Sequence, residues 1–278
     1  MLKFEVVEGW GELPEGWAFT QVAGVAVDSR DRVLVLNRSP HPVMIFDREG
    51  KFLSSWGEGA FERPHGLYIG SDDRVYCTDD KDHTVKIFTL EGELLSMLGT
   101  KDRPGEGGAP FNRPTNVALA PSGEIYVSDG YGNSRVHKFS RCGELLLSWG
   151  TPGDGQGQFN IPHGVWVDGD DRVLVADRQN NRIQIFNSDG EFLTQWTGLR
   201  RPCTVFIDRD NIIYVAELES RMSILDADGE LLARWGGTKS TAPGQFVAPH
   251  CTWVDSWGDL YVGEVLEGQR IQKFVRAR

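Results

Sequence analysis

Three of the six histidines stand in similar surroundings: Pro64-His65-Gly66, Pro162-His163-Gly164 and Pro249-His250-Cys251. Imidazole is the commonest side-chain ligand of zinc, and three imidazoles with a fourth position left open make a catalytic rather than a structural zinc site. Iron, cobalt or manganese would accept the same donors. Two arginines, Arg38 and Arg178, could each offer a planar fork to a carboxylate beside such an ion. Tyr131 is a phenol that a nearby cation could turn into a proton acceptor. The other histidines, His41, His83 and His137, share no setting and read as surface polarity.

For these residues to meet, the chain must bring distant segments together, and its internal repeats say how. The segment from Pro64 realigns with those from Pro114, Pro162, Pro202 and Pro249, and a divergent copy begins at Val22. Each unit reads as a short apolar strand, a polar turn, a second strand, a loop, a third strand and a fourth that usually ends in Trp. Six such units predict an all-β fold, a six-bladed β-propeller of four-stranded blades forming one domain over 1–278. The sixth unit has only three strands, and residues 2–11 supply the missing one, which leaves no sheet edge free. Trp56, Trp149, Trp196 and Trp235 recur at the fourth-strand ends and read as packing between blades.

In this register Ala23, His65, Thr115, His163, Cys203 and His250 are equivalent. Three histidines at six prescribed positions is a coincidence on the order of one in several thousand, and they also alternate around the ring. Innermost strands face the central channel, so the three imidazoles should converge. A second column follows strand two: Asn37, Asp79, Asp129, Asp177, Glu217 and Glu264, uniform enough to read as turn capping. The residues just beyond it are irregular, and Arg38, Asp80, Tyr131 and Arg178 lie there.

The repeat consensus resembles the NHL repeat, and the residues resemble the catalytic core of peptidyl-α-hydroxyglycine α-amidating lyase. The likeness is carried by Gln21 to Asp28 with Arg38, by Pro64-His65-Gly66-Leu67, by Tyr126 to Arg135, by Gly157-Gln158-Phe159 through His163 to Gln184, and by Pro249-His250. It implies that His65, His163 and His250 bind zinc, that Tyr131 is the base, and that Arg38 and Arg178 are active-site residues. The implied reaction is cleavage of the carbon-nitrogen bond of an α-hydroxy amide to an amide and an aldehyde such as glyoxylate. Two departures stand out. The family's structural calcium takes carbonyls at positions matching Val25 and Leu67 and an aspartate directly after the third histidine; Cys251 stands there, which argues against calcium. The family's disulfide cysteine in the tyrosine motif is Gly132 here. Two other readings compete: a metal-dependent hydrolase of a small lactone, ester or amide in the same channel, and a non-enzymatic protein-binding scaffold.

Composition narrows the partners. A formal charge of -11 disfavours nucleic acid, no run approaches the roughly 18 apolar residues of a membrane span, and the N-terminal segment lacks an apolar signal core. Cys77, Cys142, Cys203 and Cys251 form no CxxC pair, so four reduced thiols are expected. The expectation is a cytoplasmic monomer acting on a small molecule or short peptide.

Overall fold

The computed structural model describes residues 2–105 and 110–277. Its strands form six four-stranded antiparallel sheets arranged as the blades of a propeller. The innermost strands, in chain order, are Val22–Val27, Pro64–Ile69, Asn116–Leu119, Pro162–Val167, Pro202–Ile207 and Pro249–Val254. Blade six takes Pro249–Val254, Leu260–Glu264 and Arg270–Arg276 from one end of the chain and Phe4–Val7 from the other. Phe4 pairs with Arg276 and Val7 with Lys273, so the outermost strand is supplied as expected and the ring closes. The strand ends at Val7; Trp10 leaves the sheet and packs beside Phe46 of blade one and Tyr261 of blade six. Its ring centroid lies 5.5 Å and 5.2 Å from theirs, and its indole N–H donates to the Arg48 carbonyl at 3.0 Å.

Local chemistry explains the strands. Inner strands bury both faces and are almost wholly apolar, whereas the outermost strands expose Leu94, Leu146, Leu193 and Leu231. In four blades the first hairpin begins with an aspartate, Asp28, Asp168, Asp208 or Asp255, whose carboxylate accepts the amides two and four residues on. The third residue after the start of that turn is left-handed in every blade, as Asp31, Asp73, Gly123, Asp171, Asn211 and Gly258. The turns thus fix register, and the apolar faces between successive blades form the core.

One irregularity positions the site. Val22 pairs with Asn37 and Gly24 with Leu36, leaving Ala23 out of the ladder. The same skip occurs at His163, Cys203 and His250, and in blade two the gap spans His65 and Gly66. A bulge at this position unpairs the residue from its sheet and re-aims its side chain.

Candidate metal centre

His65, His163 and His250 open the inner strands of blades two, four and six, each at the bulge, and are almost fully buried. Their ring centroids lie 4.8 to 4.9 Å apart. One nitrogen from each falls within 4.8 Å of the others, the grouping a metal ion needs. Each imidazole is oriented by the blade that follows it. His65 Nδ1 donates to the Thr115 carbonyl at 2.7 Å, His163 Nδ1 to that of Cys203 at 3.0 Å, and His250 Nδ1 to that of Ala23 at 2.9 Å. The three acceptors are the non-histidine members of the same register column. Because a carbonyl only accepts, each Nδ1 carries the proton and each Nε2 keeps its lone pair.

Electrostatics favour the same state. Burial, with the neighbouring imidazoles and Arg38, holds His65 well below the usual imidazole range. Burial and Arg178 do the same for His163. Burial, then Arg38, lowers His250 to about 3. Ligation requires neutral imidazole, so the donor set fits a divalent transition metal such as zinc.

The Tyr131 phenol sits over two of the rings, its oxygen 3.0 Å from His65 Nε2 and 3.2 Å from His163 Nε2. Arg178 Nη1 donates to that oxygen at 3.3 Å. Glycine makes the approach possible. A Cβ on Gly130 would lie 2.1 Å from the Pro162 carbonyl oxygen, and one on Gly132 would lie 2.3 Å from the Asn112 side chain. The second clash leaves no room for a side chain at Gly132 without moving Asn112; Cys77, Cys142, Cys203 and Cys251 are all unpaired.

Arg178 begins a single 3-10 turn, Arg178–Asn180, ended by Asn181 in the left-handed conformation. Arg38 Nε donates to the Pro64 carbonyl at 3.1 Å and Nη1 to Gln21 Oε1 at 2.5 Å. Burial and the adjacent Arg63 push its guanidinium below the usual value. Neither Arg38 nor Arg178 forms an ion pair with a carboxylate among the described residues, and Arg178 Nε is buried without a partner.

Sequence reasoning noted Asp80 only as an irregular position. It is fully buried, its Oδ2 lies 2.7 Å from Arg63 Nη1 and 3.4 Å from Arg113 Nη2, and its Oδ1 has no partner. The Arg113 guanidinium stacks 5.0 Å above the Tyr131 ring. A signal was present: Arg63-Pro64, Arg113-Pro114 and Arg201-Pro202 each place arginine just before an inner strand. On blades five and six the same rim is apolar, with Leu218 packed against Val247, Ala248 and Val265.

The acidic column does more than cap its own turns. Asp79 accepts the amides of Glu62 and Arg63, Asp177 that of Asn160, and Glu264 those of Val247 and Ala248. These amides precede His65, His163 and His250 by two to three residues, so the column anchors the loops that carry the three histidines. His137 corrects the surface reading given to it. It is fully buried, 3.3 Å from Asp129 and 2.7 Å from Ser148 Oγ, because its third-strand position faces the acidic column. His41 stacks on Trp17 and meets Glu58 at 2.7 Å, and His83 Nδ1 accepts the Arg113 amide at 3.1 Å.

The calcium position does not fit that ion. The channel beneath the histidines narrows to a void of about 10 Å³, room for roughly one water, and no carboxylate lines it. The Cys251 thiol turns to the Val22 carbonyl at 3.7 Å, outside the histidine cluster.

The NHL repeat family model matches residues 111–139 and 159–186. Human NHL repeat-containing protein 3 is 32% identical over 288 residues, covering 96% of this chain and 82% of that protein. The Caenorhabditis elegans protein named probable peptidyl-alpha-hydroxyglycine alpha-amidating lyase is 32% identical over 229 residues, 72% of this chain and 65% of its own length. Rat peptidylglycine alpha-amidating monooxygenase is 35% identical over 202 residues; that match takes in 61% of this chain and only 21% of the rat protein. Among solved structures, virginiamycin B lyase from Staphylococcus aureus superposes with a TM-score of 0.62 at 16% identity over 99% of this chain and 89% of that one. A gluconolactonase from Xanthomonas campestris does so at 0.69 and 13%, over 94% and 88%. At these identities the structural likeness speaks for the fold alone.

Proposed function

Because this chain belongs to the NHL-repeat propeller family of NHL repeat-containing protein 3, and its alternate blades converge three neutral imidazoles, we propose that it is a metal-dependent lyase cleaving α-hydroxy amides. The observation that carries the reading is Tyr131, whose hydroxyl lies within 3.3 Å of two ligand imidazoles and Arg178. Its similarity to lyase-named relatives supports the reaction class.

His65, His163 and His250 would hold zinc, which as a Lewis acid makes a bound hydroxyl more acidic. Tyr131 accepts the hydroxyl proton of R-CO-NH-CH(OH)-COOH. The freed electron pair forms the aldehyde carbonyl while the carbon-nitrogen bond breaks, and the proton held by Tyr131 passes to the departing amide nitrogen. Products are R-CO-NH2 and glyoxylate, with no oxidant and no water consumed. Arg38, fixed by Pro64 and Gln21, and Arg178, fixed beside Tyr131, grip the substrate carboxylate.

The test is metal content per chain without a polyhistidine tag, combined with incubation of N-benzoyl-α-hydroxyglycine. The expected result is near one zinc per chain, lost in His163→Ala, with benzamide and glyoxylate released in equal amounts. No retained metal after zinc is supplied and excess removed, or benzoic acid in place of benzamide, would overturn it.

A further inference from the structure

The channel has a second end. Three residues beyond the histidine column, roughly 10 Å along the strands, the inner strands carry Ala26, Tyr68, Ala118, Trp166, Phe206 and Trp253. The four aromatic rings pack together, with centroids 4.7 Å apart for Phe206 and Trp253 and 5.4 Å for Tyr68 and Trp166. They close the channel below the metal centre and floor a cavity of about 560 Å³ that opens on the opposite face. Its walls are the hairpin turns that follow the inner strands. Six aspartates line it, Asp28, Asp31, Asp73, Asp208, Asp210 and Asp255, against two arginines, Arg209 and Arg276; Asp28 and Asp255 are already ion-paired, to Arg32 at 2.6 Å and Arg48 at 3.0 Å, which leaves four carboxylates facing the two arginines. Two are set rigidly across blade boundaries: Asp73 accepts the amide and hydroxyl of Ser29, and Asp31 those of Ser256. Trp257 stands at the lip, 60% exposed.

We propose that this opposite mouth binds a small organic cation, an ammonium or guanidinium carried on an apolar body. Aromatic faces attract cations, and a floor of four rings offers both that attraction and apolar contact for the rest of the ligand. Excess carboxylate on the wall attracts positive charge and repels anions. The volume lies within the range of small-molecule sites. The site shares no side chain with the metal centre, so it stands independently of the lyase reading.

The experiment is calorimetric titration of the full chain with benzyltrimethylammonium, with benzyl alcohol and benzoate as neutral and anionic controls, and NMR of the tryptophan indole N–H groups. Saturable binding of the cation with Kd below about 1 mM is expected, with both controls weaker by about tenfold or more. The Trp257 indole resonance should shift on titration. Asp31→Asn/Asp210→Asn should weaken binding by about fivefold or more at low salt, and the loss should shrink as salt rises. Trp257→Ala, at an exposed position, provides a second variant should the aspartate pair disturb the turns; it should weaken binding by about threefold. Benzyl alcohol binding as tightly as the cation, no saturation, or unchanged affinity in both variants would overturn the proposal.

Discussion

The imidazole of His65 donates its Nδ1 proton to the carbonyl of Thr115, 2.7 Å away, and Thr115 holds the position in blade three that His65 holds in blade two. His163 with Cys203 and His250 with Ala23 repeat the relationship. Each of the three imidazoles is thus aimed by the backbone of the next blade, and their mutual geometry depends on the packing between blades.

Tyr131→Phe keeps the ring between His65 and His163 and removes only the oxygen 3.0 and 3.2 Å from their Nε2 atoms. We expect kcat to fall by roughly 10² to 10⁴ while metal content stays unchanged. Turnover of N-benzoyl-α-hydroxyglycine alongside elemental analysis checks both; wild-type turnover in the variant would remove Tyr131 from the chemistry.

Arg38 and Arg178 should separate kinetically. Arg178 touches the Tyr131 oxygen at 3.3 Å, whereas Arg38 is tied to Pro64 and Gln21. Arg38→Lys loses the planar fork and should raise KM by about tenfold with little change in kcat. Arg178→Lys should lower kcat as well. Steady-state kinetics that give the two variants the same profile would contradict these separate placements.

The metal-free chain should lose stability as pH falls from 7 to 5. Burial, then Arg38, brings His250 to about 3, below the ordinary value of about 6.5, so between these limits the unfolded chain binds a proton that the folded one refuses. The stabilising contribution is complete above about pH 6.5 and is lost toward pH 3; at pH 5 His250 alone would cost about 2 kcal/mol. His65 and His163 act in the same direction. Denaturant unfolding of the apo chain at pH 5, 6 and 7 checks this. The slope should flatten in His250→Gln, and an equal slope in that variant would count against it.

Trp10→Ala removes a buried indole packed between the first and last blades. A loss of about 3 to 5 kcal/mol is expected. Thermal and denaturant unfolding measure it, and a change under about 1 kcal/mol would mean the junction is held elsewhere.

The ring and the convergence of its three histidines could be read from the chain because a six-fold repeat shows each position six times, so an unusual column stands out against the regular ones. The bulge that turns that column to the axis was hidden, since simple alternation along the strand carries no sign of a skipped pair. The Asp80 cluster was hidden for a different reason: Arg63 and Arg113 reach it from loops 17 and 33 residues away, one of them in another blade. His137 was misjudged because it was viewed alone. Aligned with Lys86, Gln184, Ser223 and Gln272, it occupies a buried column whose members all face the acidic ring.

Phe4 and Arg276 are partners in one sheet. During synthesis the strand Phe4–Val7 leaves the ribosome before any other strand of the ring and must wait, unpaired, for the last to emerge. Such a long-range closure is among the slowest steps a β-fold can take. The sheet it completes is the blade that carries His250, so the three imidazoles converge only as the ring closes. A nascent chain short of blade six has only two of the three imidazoles, and if the cluster holds the proposed metal, free metal supplied during refolding should speed the final phase rather than the early ones.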